Sequence, residues 1–354
     1  MSFELDIHAV GQGQSSGDAI TLRFGELGTP HQKVVVVDGG YQADGEALVD
    51  FIPRVYGTRT IDLMISTHPH SDHVGGLRPL LESLDVRELW MHRPWTRSHS
   101  IHTYITDGRV THRSLTDRLQ QSFRQAHELE QLAIEKRVVV REPFAGVMLG
   151  NEIIVAGPTE DYYASLMASF DDDQRAASLG ETLMRGVRAA VRRLVESWDD
   201  EALVEPDEDA VSPVNNSSAI LYLNLEELIL LTADAGVPAL RRALDVLTLA
   251  QLSTDFRWFQ LPHHGSKRNL GPSILNRLLG RPFGAESNKW GIVSAATDGR
   301  PKHPSQRVIN AVRRRGAKVQ STSGQNILLQ SDDALPRPGY HPLATLEFVS
   351  EYED

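Results

Sequence analysis

The chain has 354 residues, of which 40% are hydrophobic, and a formal net charge of −11 at pH 7. This length and apolar content predict a globular protein with a sizeable core, and the negative charge argues against non-specific nucleic-acid binding, although a local basic groove could coexist with it. Because the chain contains no cysteine, disulfides, thiolate nucleophiles and sulfur-based metal sites are excluded, and any metal must be held by His, Asp or Glu.

The N-terminal sequence "MSFELDIHAVGQG" has no basic segment followed by an apolar core, as a secretory signal would have. No apolar run approaches the length that crosses a bilayer. We therefore expect a cytoplasmic protein with no membrane segment.

The first part of the chain is predicted to be mostly strand. The stretches "ELDIHAV", "AITLRF", "KVVVVDGG" and "TIDLMIST" predict a strand meander over residues 1–67. Beyond it, "VGGLRPLLESL" predicts a helix and "VRELWMH" a strand, so strands and helices alternate as in a layered α/β sheet.

The middle of the chain is predicted to be mainly helical. Apolar residues recur at helical spacing over 115–137 and again over 179–198, which predicts two amphipathic helices. Between them, "RVVVRE" and "NEIIVAGP" predict strands. Residues 197–213 are acidic and contain proline, so we expect a mobile loop there and place the main internal boundary in it.

The second half repeats the rhythm of the first. Strands are predicted in "SSAILYLN", "ELILLTAD", "FRWFQLPHHGS" and "KWGIVSAAT", with a helix in "VPALRRALDVL". A last helix in "HPSQRVINAVRRRG" should have Pro304 in its first turn and end at Gly316. Two such halves indicate two sheets packed face to face, with helices outside.

Four ligand-type residues follow the strand "TIDLMIST" within six positions: His68, His70, Asp72 and His73. Residues two apart at a strand end point the same way, so the cluster offers two pairs of ligands for two neighbouring ions. Zinc and manganese accept imidazole and carboxylate without sulfur. Gly75 and Gly76 would let the next helix begin close to the loop backbone. The alternative is a solvated polar turn, which the density of ligand groups argues against.

This cluster matches the His-x-His-x-Asp-His signature of the metallo-β-lactamase-fold hydrolases, which the chain resembles. Further stretches resemble the branch that contains the nuclease-like domain of ComEC-type competence proteins and the bacterial phosphorylcholine esterases. They are "AVGQGQSSGDAI", which has extra residues before Asp18, "VVVVDGG", "NNSSAILYL", "LLTADAG", "LPHHGSKRN" and "SAATDGRPKHPSQRVINAV".

The resemblance covers residues 5 to about 325, apart from roughly 93 to 213. It implies an α/β fold, a four-layer αβ/βα metallo-β-lactamase sandwich formed by one domain, 1–354. We divide this domain into a first half, 1–92, a mostly helical elaboration with two strands and an acidic loop, 93–213, and a second half, 214–354.

The resemblance also implies roles for residues of the second half. Asp234 would be the carboxylate that bridges both ions, although an aspartate at a strand exit can equally be a helix N-cap. The pair His263 and His264 would supply one more ligand. If the strand continues, the two rings point to opposite sides, so we expect His264 to bind metal and His263 to contact the substrate. His303 would lie beside the substrate.

The remaining predicted site residues support these groups. Asp38 is expected to orient a ligand imidazole or the turn after it, rather than to bind metal itself. Asn216 and Ser217 stand where other members of the fold have a further histidine, so we assign them to substrate binding and expect an open coordination position on one ion. The predicted catalytic residues are Asp72 and His303.

The expected chemistry is hydrolysis. Two cations roughly 3.5 to 4 Å apart lower the pKa of a bridging water from near 16 to about 7, and so provide hydroxide at neutral pH. Because phosphodiesters are the recurring target of this branch, the leading prediction is a metal-dependent nuclease or phosphodiesterase that acts on DNA or RNA. The alternatives are a hydrolase of small esters, either phosphocholine-type esters or lactones, and a non-catalytic binding module stabilised by metal.

A basic and aromatic stretch after the metal loop could clamp a nucleic-acid backbone, with Trp95 or Tyr104 stacking on bases and Arg97, Arg109 and Arg113 binding phosphates. The alternative is a histidine-rich surface loop without such a role. "RRRGAK" adds positive charge, or is simply a solvated helix face. The segment 93–213 could also recognise a protein partner.

Overall fold

The computed structural model describes residues 1–13, 15–97, 112–170, 193–283, 285–299 and 302–353. The strands are β1 (Ser2–Ile7), β2 (Ala19–Gly25), β3 (Lys33–Gly39), β4 (Thr60–Ile61), β5 (Leu63–Ser66), β6 (Asp85–Val86), β7 (Glu88–Met91), β8 (Val139–Arg141), β9 (Met148–Leu149), β10 (Ile153–Gly157), β11 (Arg193–Val195), β12 (Ile220–Asn224), β13 (Leu228–Leu231), β14 (Trp258–Gln260), β15 (Trp290–Val293), β16 (Lys318–Ser321), β17 (Ile327–Gln330) and β18 (Glu351–Glu353).

The helices are α1 (Gln42–Phe51), α2 (Ser71–Val74), α3 (Leu77–Ser83), α4 (His112–Ser122), α5 (Arg124–Glu135), α6 (Glu160–Met167), α7 (Pro213–Asn216), α8 (Val237–Leu249), α9 (Pro272–Leu279) and α10 (Gln306–Arg314). Helix α1 continues into a π-helical turn, Ile52–Tyr56. Within the described ranges, none of the helices has the length and apolarity that crossing a bilayer would require.

Two seven-stranded sheets form the centre of the molecule. The first has the order β17-β1-β2-β3-β5-β7-β8, and the second the order β16-β15-β14-β13-β12-β10-β9. Both contribute to one apolar layer, which includes Phe3, Leu5, Val35, Ile65, Leu221, Ile229 and Ile292. Helices α1, α3, α4 and α5 cover the outer face of the first sheet, and α8, α9 and α10 that of the second. The structure thus confirms the predicted four-layer αβ/βα sandwich.

The predicted meander over residues 1–67 is only partly correct. Strands β1, β2 and β3 are antiparallel, but β3 and β5 are parallel and α1 connects them. The sequence "QADGEALVDF" hides this helix because Gly45 is a poor helix former. Glycine is required there, since a Cβ at Gly45 would lie 2.1 Å from the carbonyl oxygen of Gly76.

Three helix predictions differ from the structure. The predicted helix 115–137 is two helices, α4 and α5, which are separated at Phe123. Of the predicted helix 179–198, residues up to 192 lie outside the described ranges, and 193–195 form β11. Pro304 precedes α10, which begins only after the N-cap Ser305, instead of lying in its first turn.

The division between the sheets does not fall in the acidic segment 197–213. Strands β9 and β10 precede that segment in sequence, yet they belong to the second sheet, where β10 pairs with β12. The segment has little regular structure, but Glu201 forms an ion pair with Arg315 (2.7 Å) and Glu205 accepts a hydrogen bond from the backbone N–H of Ser273 (3.0 Å). These contacts fasten the segment to α9 and α10.

The basic run after residue 312 is not a solvated helix face. Arg314 and Arg315 are both buried. Arg314 forms an ion pair with the buried Glu196. Burial of this charged side chain is tolerated because the carboxylate of Glu196 balances its charge and the carbonyl of Trp198 accepts from its Nε (2.7 Å).

Glycines at the start of α3 pack backbone against backbone. A Cβ at Gly76 would lie 1.9 Å from the carbonyl oxygen of Gly39, although φ is −84° and suits any residue. We expect Gly76→Ala to destabilise the fold by about 1–3 kcal/mol, through steric displacement alone. Urea denaturation measures this, and an unchanged midpoint would show that β3 and α3 are not packed as described.

A buried histidine outside the site gives the fold an acid-sensitive element. His92 stacks on Tyr163 with ring centroids 4.3 Å apart, and neither of its ring nitrogens has a hydrogen-bond partner among the described residues. Burial, with a smaller contribution from Arg97, lowers the pKa of His92 from 6.5 to about 3. Between these values the unfolded chain binds the extra proton, so stability falls as pH decreases, by up to about 1.4 kcal/mol per pH unit.

We therefore expect His92→Phe to flatten the loss of stability between roughly pH 6 and pH 4. Denaturant unfolding at several pH values measures this slope. The same change at the exposed His31 is the control and should leave the slope as it is. Equal slopes in His92→Phe and the wild type would contradict the assignment.

Candidate metal centre

Four strand exits bring the predicted ligand residues together at one edge of the sandwich. Strands β3 and β5 are parallel in the first sheet, and β13 and β14 are parallel in the second. The carboxyl ends of parallel strands meet at the same edge, which is where α/β folds commonly bind ligands.

The predicted cluster after β5 turns into α2. His68 and His73 are buried, with ring centroids 4.2 Å apart, whereas the side chain of Asp72 is 25% exposed. His70 Nδ1 lies 3.1 Å from His68 Nε2. The structure therefore draws all four side chains into one group, and the alternative of a solvated polar turn is wrong for the buried histidines.

Asp234 follows β13 and is buried against this group. Its Oδ1 lies 3.4 Å from His73 Nε2, and its Oδ2 lies 3.7 Å from His68 Nε2 and 3.6 Å from His263 Nε2. The N-cap of α8 is Gly236, so the N-cap alternative for Asp234 is wrong. The carboxylate instead stands among three imidazoles from two sheets.

His263 and His264 lie in a tight turn directly after β14. Both have left-handed backbone angles, with φ of 48° and 58°. Because the strand does not continue, the expectation that their rings point to opposite sides is wrong, and both rings face the cluster. His264 Nε2 lies 3.7 Å from Asp72 Oδ2, and its Nδ1 donates to the carbonyl of Ser294 (2.8 Å).

Asp38, at the end of β3, contacts the cluster through both oxygens of its carboxylate. Its Oδ2 accepts from His73 Nδ1 (2.8 Å) and from the hydroxyl of Thr67 (2.6 Å), while its Oδ1 accepts from the backbone N–H of Thr67 (2.8 Å). A hydrogen bond from Nδ1 leaves Nε2 of His73 as the nitrogen that faces Asp234.

The residues of this cluster fit a divalent cation. Among the described residues, His73 Nε2 and Asp234 Oδ1 are buried and have no hydrogen bond of good geometry, although they face each other at 3.4 Å. Such groups cost about 1–3 kcal/mol each unless something pairs with them. Several groups of three residues have ligand atoms that all lie within 4.8 Å of one another. Among these groups are His68–His73–Asp234 and Asp72–His73–His264. Imidazole nitrogen and carboxylate oxygen suit zinc and manganese alike.

Electrostatics within the cluster favour the anionic form of Asp234, whereas burial raises the pKa of Asp18 to about 6. Burial disfavours the charge of Asp234, but His263 and His73 hold its pKa well below the usual range. Burial and the charge of His73 lower the pKa of His68, so this imidazole is neutral and can act as a ligand. Burial likewise opposes protonation of His73, yet Asp234, Asp72 and Asp38 raise its pKa, so binding of a cation there would release a proton.

His303 lies at the side of the cluster formed by the left-handed turn. Its ring centroid is 6.2 Å from that of His263 and 6.3 Å from that of His264, and within the described ranges its buried Nδ1 has no hydrogen-bond partner. Burial, together with these two histidines, lowers the pKa of His303 to about 4.

The two residues predicted to bind substrate before β12 have their side chains engaged elsewhere. Asn216 donates to the carbonyl of Val211 (3.1 Å) and accepts from the N–H of Gly236 (3.1 Å), while Ser217 donates to the carbonyl of Val214 (2.6 Å). Their neighbour Asn215 was not predicted, yet its Nδ2 lies 3.2 Å from His263 Nδ1 and its Oδ1 is buried and unpaired. The "NNSS" stretch gave no signal that distinguishes these residues, because a turn of α7 decides which one faces the site.

Two residues of the predicted nucleic-acid clamp have their side chains engaged within the protein. Trp95 is 3% exposed and donates its indole N–H to Glu130 (2.6 Å), so it cannot stack on a base. Arg97 forms ion pairs with Glu142 (2.7 Å) and Glu160. Tyr104 and Arg109 lie outside the described residues. Arg113, at the start of α4, is exposed.

Comparisons with known proteins show which family the chain belongs to. The model of the metallo-beta-lactamase superfamily matches residues 28–279. A diphosphatase of the PhnP family is 11% identical, with 93% of this chain and 98% of that chain covered and a TM-score of 0.41. Unliganded PDE1 from yeast is 10% identical, with 93% and 99% covered and a TM-score of 0.44. None of the curated proteins compared with the chain matches it. On the family match, this protein belongs to the metallo-beta-lactamase superfamily.

Proposed function

We propose that this protein is a metal-dependent phosphodiesterase whose substrate is DNA or RNA. Membership of the superfamily supports metal-dependent hydrolysis. The observation that carries the proposal is the convergence of imidazoles and carboxylates from both sheets around the buried ligand atoms His73 Nε2 and Asp234 Oδ1. The choice of phosphodiesters rests on the sequence resemblance to the branch with the nuclease-like domain.

Two divalent cations, zinc or manganese, would be held by residues of both halves. Asp72, His73 and His264 would bind one cation, and His68 and His70 the other. The carboxylate of Asp234 lies close to both His68 and His73, so it would be shared by the two cations. When bound, such cations lower the pKa of water from roughly 16 to about 7 and neutralise charge on the attacked ester.

Other residues of the protein would orient the histidine ligands and contact the substrate. Asp38 and the carbonyl of Ser294 fix the ring orientations of His73 and His264 by accepting from their Nδ1 atoms. His303 stands beside the same turn with an unpaired Nδ1, and we assign it to proton transfer with the substrate. His263 and its neighbour Asn215 line the partly exposed side, where a substrate oxygen would be bound.

Basic residues that adjoin the site in sequence support an anionic substrate, and we infer that they form a positive rim. Lys267 and Arg268 follow the turn at His263 and His264 and are exposed, and the exposed Lys302 adjoins His303. These cations lie close in sequence to the site although the whole chain carries a net charge of −11. A local positive rim attracts phosphate even on an acidic protein.

A small phosphodiester or other small ester is the second candidate. The burial of Trp95 and the ion pairs of Arg97 favour it, because these residues would otherwise have supplied the stacking and backbone contacts that a long polynucleotide needs. A lactone would require no positive rim, so among small esters a phosphodiester suits the exposed lysines and arginine better.

The test loads the purified chain with Mn²⁺ or Zn²⁺ and offers labelled DNA, labelled RNA and bis-p-nitrophenyl phosphate in parallel. Cleavage of a polynucleotide supports the proposal. Turnover of the small ester with intact DNA and RNA would move the assignment to the second candidate. Bound metal without turnover of any of the three would overturn both phosphodiesterase assignments and favour a non-catalytic, metal-stabilised module.

A further inference from the structure

A buried glutamine at the end of β14 connects the two halves of the site. Gln260 is 4% exposed, and its Oε1 accepts from the backbone N–H groups of Thr232 and Ala233 (2.9 Å each). Its Nε2 donates to Asp18 Oδ2 (2.8 Å). The side-chain amide of Gln260 therefore links the residues that follow β13 in the second sheet to the loop between β1 and β2 in the first.

The end of this contact in the second sheet is a strained residue. Ala233 directly precedes Asp234 and has φ of 44°, in the left-handed region. That conformation costs a non-glycine residue about 1–2 kcal/mol and persists only where the surroundings hold it. Two hydrogen bonds hold Ala233 in this conformation. Its N–H donates to Gln260 Oε1, and its carbonyl accepts from the N–H of His263 (2.9 Å). The direction in which Asp234 points therefore depends on these contacts.

The end of the contact in the first sheet is fixed to the histidine loop. The backbone N–H of Asp18 donates to the carbonyl of Asp72 (3.1 Å), and the N–H of Gly40 donates to the carbonyl of Asp18 (2.7 Å). The preceding Gly17 is in close contact as well, since a Cβ there would lie 2.5 Å from the carbonyl oxygen of Asp72. Any shift of Asp18 is thus passed to the loop that carries Asp72 and His73.

We propose that Gln260 is a positioning residue that sets the spacing between the cation-binding groups of the two sheets. A continuous run of hydrogen bonds leads from Asp72 through Asp18 and Gln260 to the residue before Asp234. The proposal rests on the proposed function in one respect, namely that Asp72, His73 and Asp234 bind cations. It assigns Gln260 itself neither a ligand role nor contact with substrate.

The test measures cation binding by the full-length chain instead of its activity. Apoprotein is titrated with Zn²⁺ by calorimetry and with Co²⁺ by absorption spectroscopy, and its thermal midpoint is recorded. Gln260→Met keeps the size of the side chain but removes all three hydrogen bonds of its amide, so we expect affinity to fall roughly tenfold or more, with an altered Co²⁺ spectrum. Gln320→Met is the matched control, because Gln320 is also a buried glutamine of the second sheet, and among the described residues its side-chain amide donates to the carbonyl of Leu343 and not to the site.

A double variant tests the hydrogen bond itself. Gln260→Glu alone sets two carboxylates against each other, and Asp18→Asn alone removes a charge that lies 3.9 Å from His73 Nδ1. Together, Asp18→Asn and Gln260→Glu preserve the total charge and reverse the direction of the hydrogen bond, while a carboxylate oxygen still accepts from Thr232 and Ala233. We expect the double variant to bind Zn²⁺ within about threefold of the wild type, and each single variant more weakly.

The outcomes separate the two proposals. A wild-type chain that binds no divalent cation overturns the proposed function, and the positioning role with it. A wild-type chain that binds cations, with Gln260→Met within about twofold of its affinity, overturns the positioning role alone. If Gln260→Met does not fold, the double variant decides, since affinity as weak as that of the single variants overturns the role and restored affinity supports it.

Discussion

Replacing Asp234 by Asn is expected to lower kcat/KM for phosphodiester hydrolysis by at least roughly 10³-fold, which corresponds to about 4 kcal/mol of transition-state stabilisation. The amide has the same shape but no charge, and Asp234 is the carboxylate that stands between His68 and His73 from one sheet and His263 from the other. Steady-state kinetics on bis-p-nitrophenyl phosphate with saturating Mn²⁺ measures the loss.

The matched control is Asp245→Asn on the outer helix α8. Asp245 is more than half exposed and forms an ion pair only with Arg277 among the described residues (2.7 Å). Its replacement should leave kcat/KM within about twofold, since surface ion pairs contribute little. Near-equal activity of Asp234→Asn and the wild type would exclude Asp234 from the catalytic centre.

Of the substitutions proposed for this protein, Arg314→Met should cause the largest loss of stability, about 3–5 kcal/mol. Removing one partner of a buried ion pair leaves the other charge uncompensated. The guanidinium pairs with Glu196, which is also buried, and donates to the carbonyl of Trp198 (2.7 Å). Urea denaturation of the full chain measures the change in the free energy of unfolding.

The neighbouring Arg313 provides the control. It lies on the same helix but pairs with Glu347, whose side chain is 60% exposed. Arg313→Met should therefore cost less than about 1 kcal/mol. Similar losses in the two variants would mean that the burial of the Arg314–Glu196 pair is not what makes it important.

The layers of the fold follow from periodicity, and the connections do not. Strands such as β2, β3 and β12 are regular enough to be recognised locally, and most predicted strands are present. Helix α1 was missed because Gly45 serves a contact with Gly76, which is invisible in the local pattern. The division between the two sheets does not coincide with the acidic, proline-containing stretch, because such a composition indicates a loop and not a change of sheet.

The candidate site divides in the same way. The dense cluster from His68 to His73 could be recognised from spacing alone, because its members come from one loop. The contact between Asp18 and Gln260 joins residues 242 positions apart, so no local pattern contains it. Whether an arginine or tryptophan is exposed also depends on distant partners, as Arg97 with Glu142 and Trp95 with Glu130 demonstrate.

Metal analysis is the measurement that most directly tests the claim that residues of both sheets bind cations together. The chain is dialysed to equilibrium with Zn²⁺ or Mn²⁺ and its metal content is determined by elemental analysis, beside His73→Ala. We predict about two divalent ions per wild-type chain, as in other two-metal hydrolytic sites, and a clear reduction in the variant. A wild-type chain that retains no ion, or a variant that retains as many as the wild type, would contradict the account.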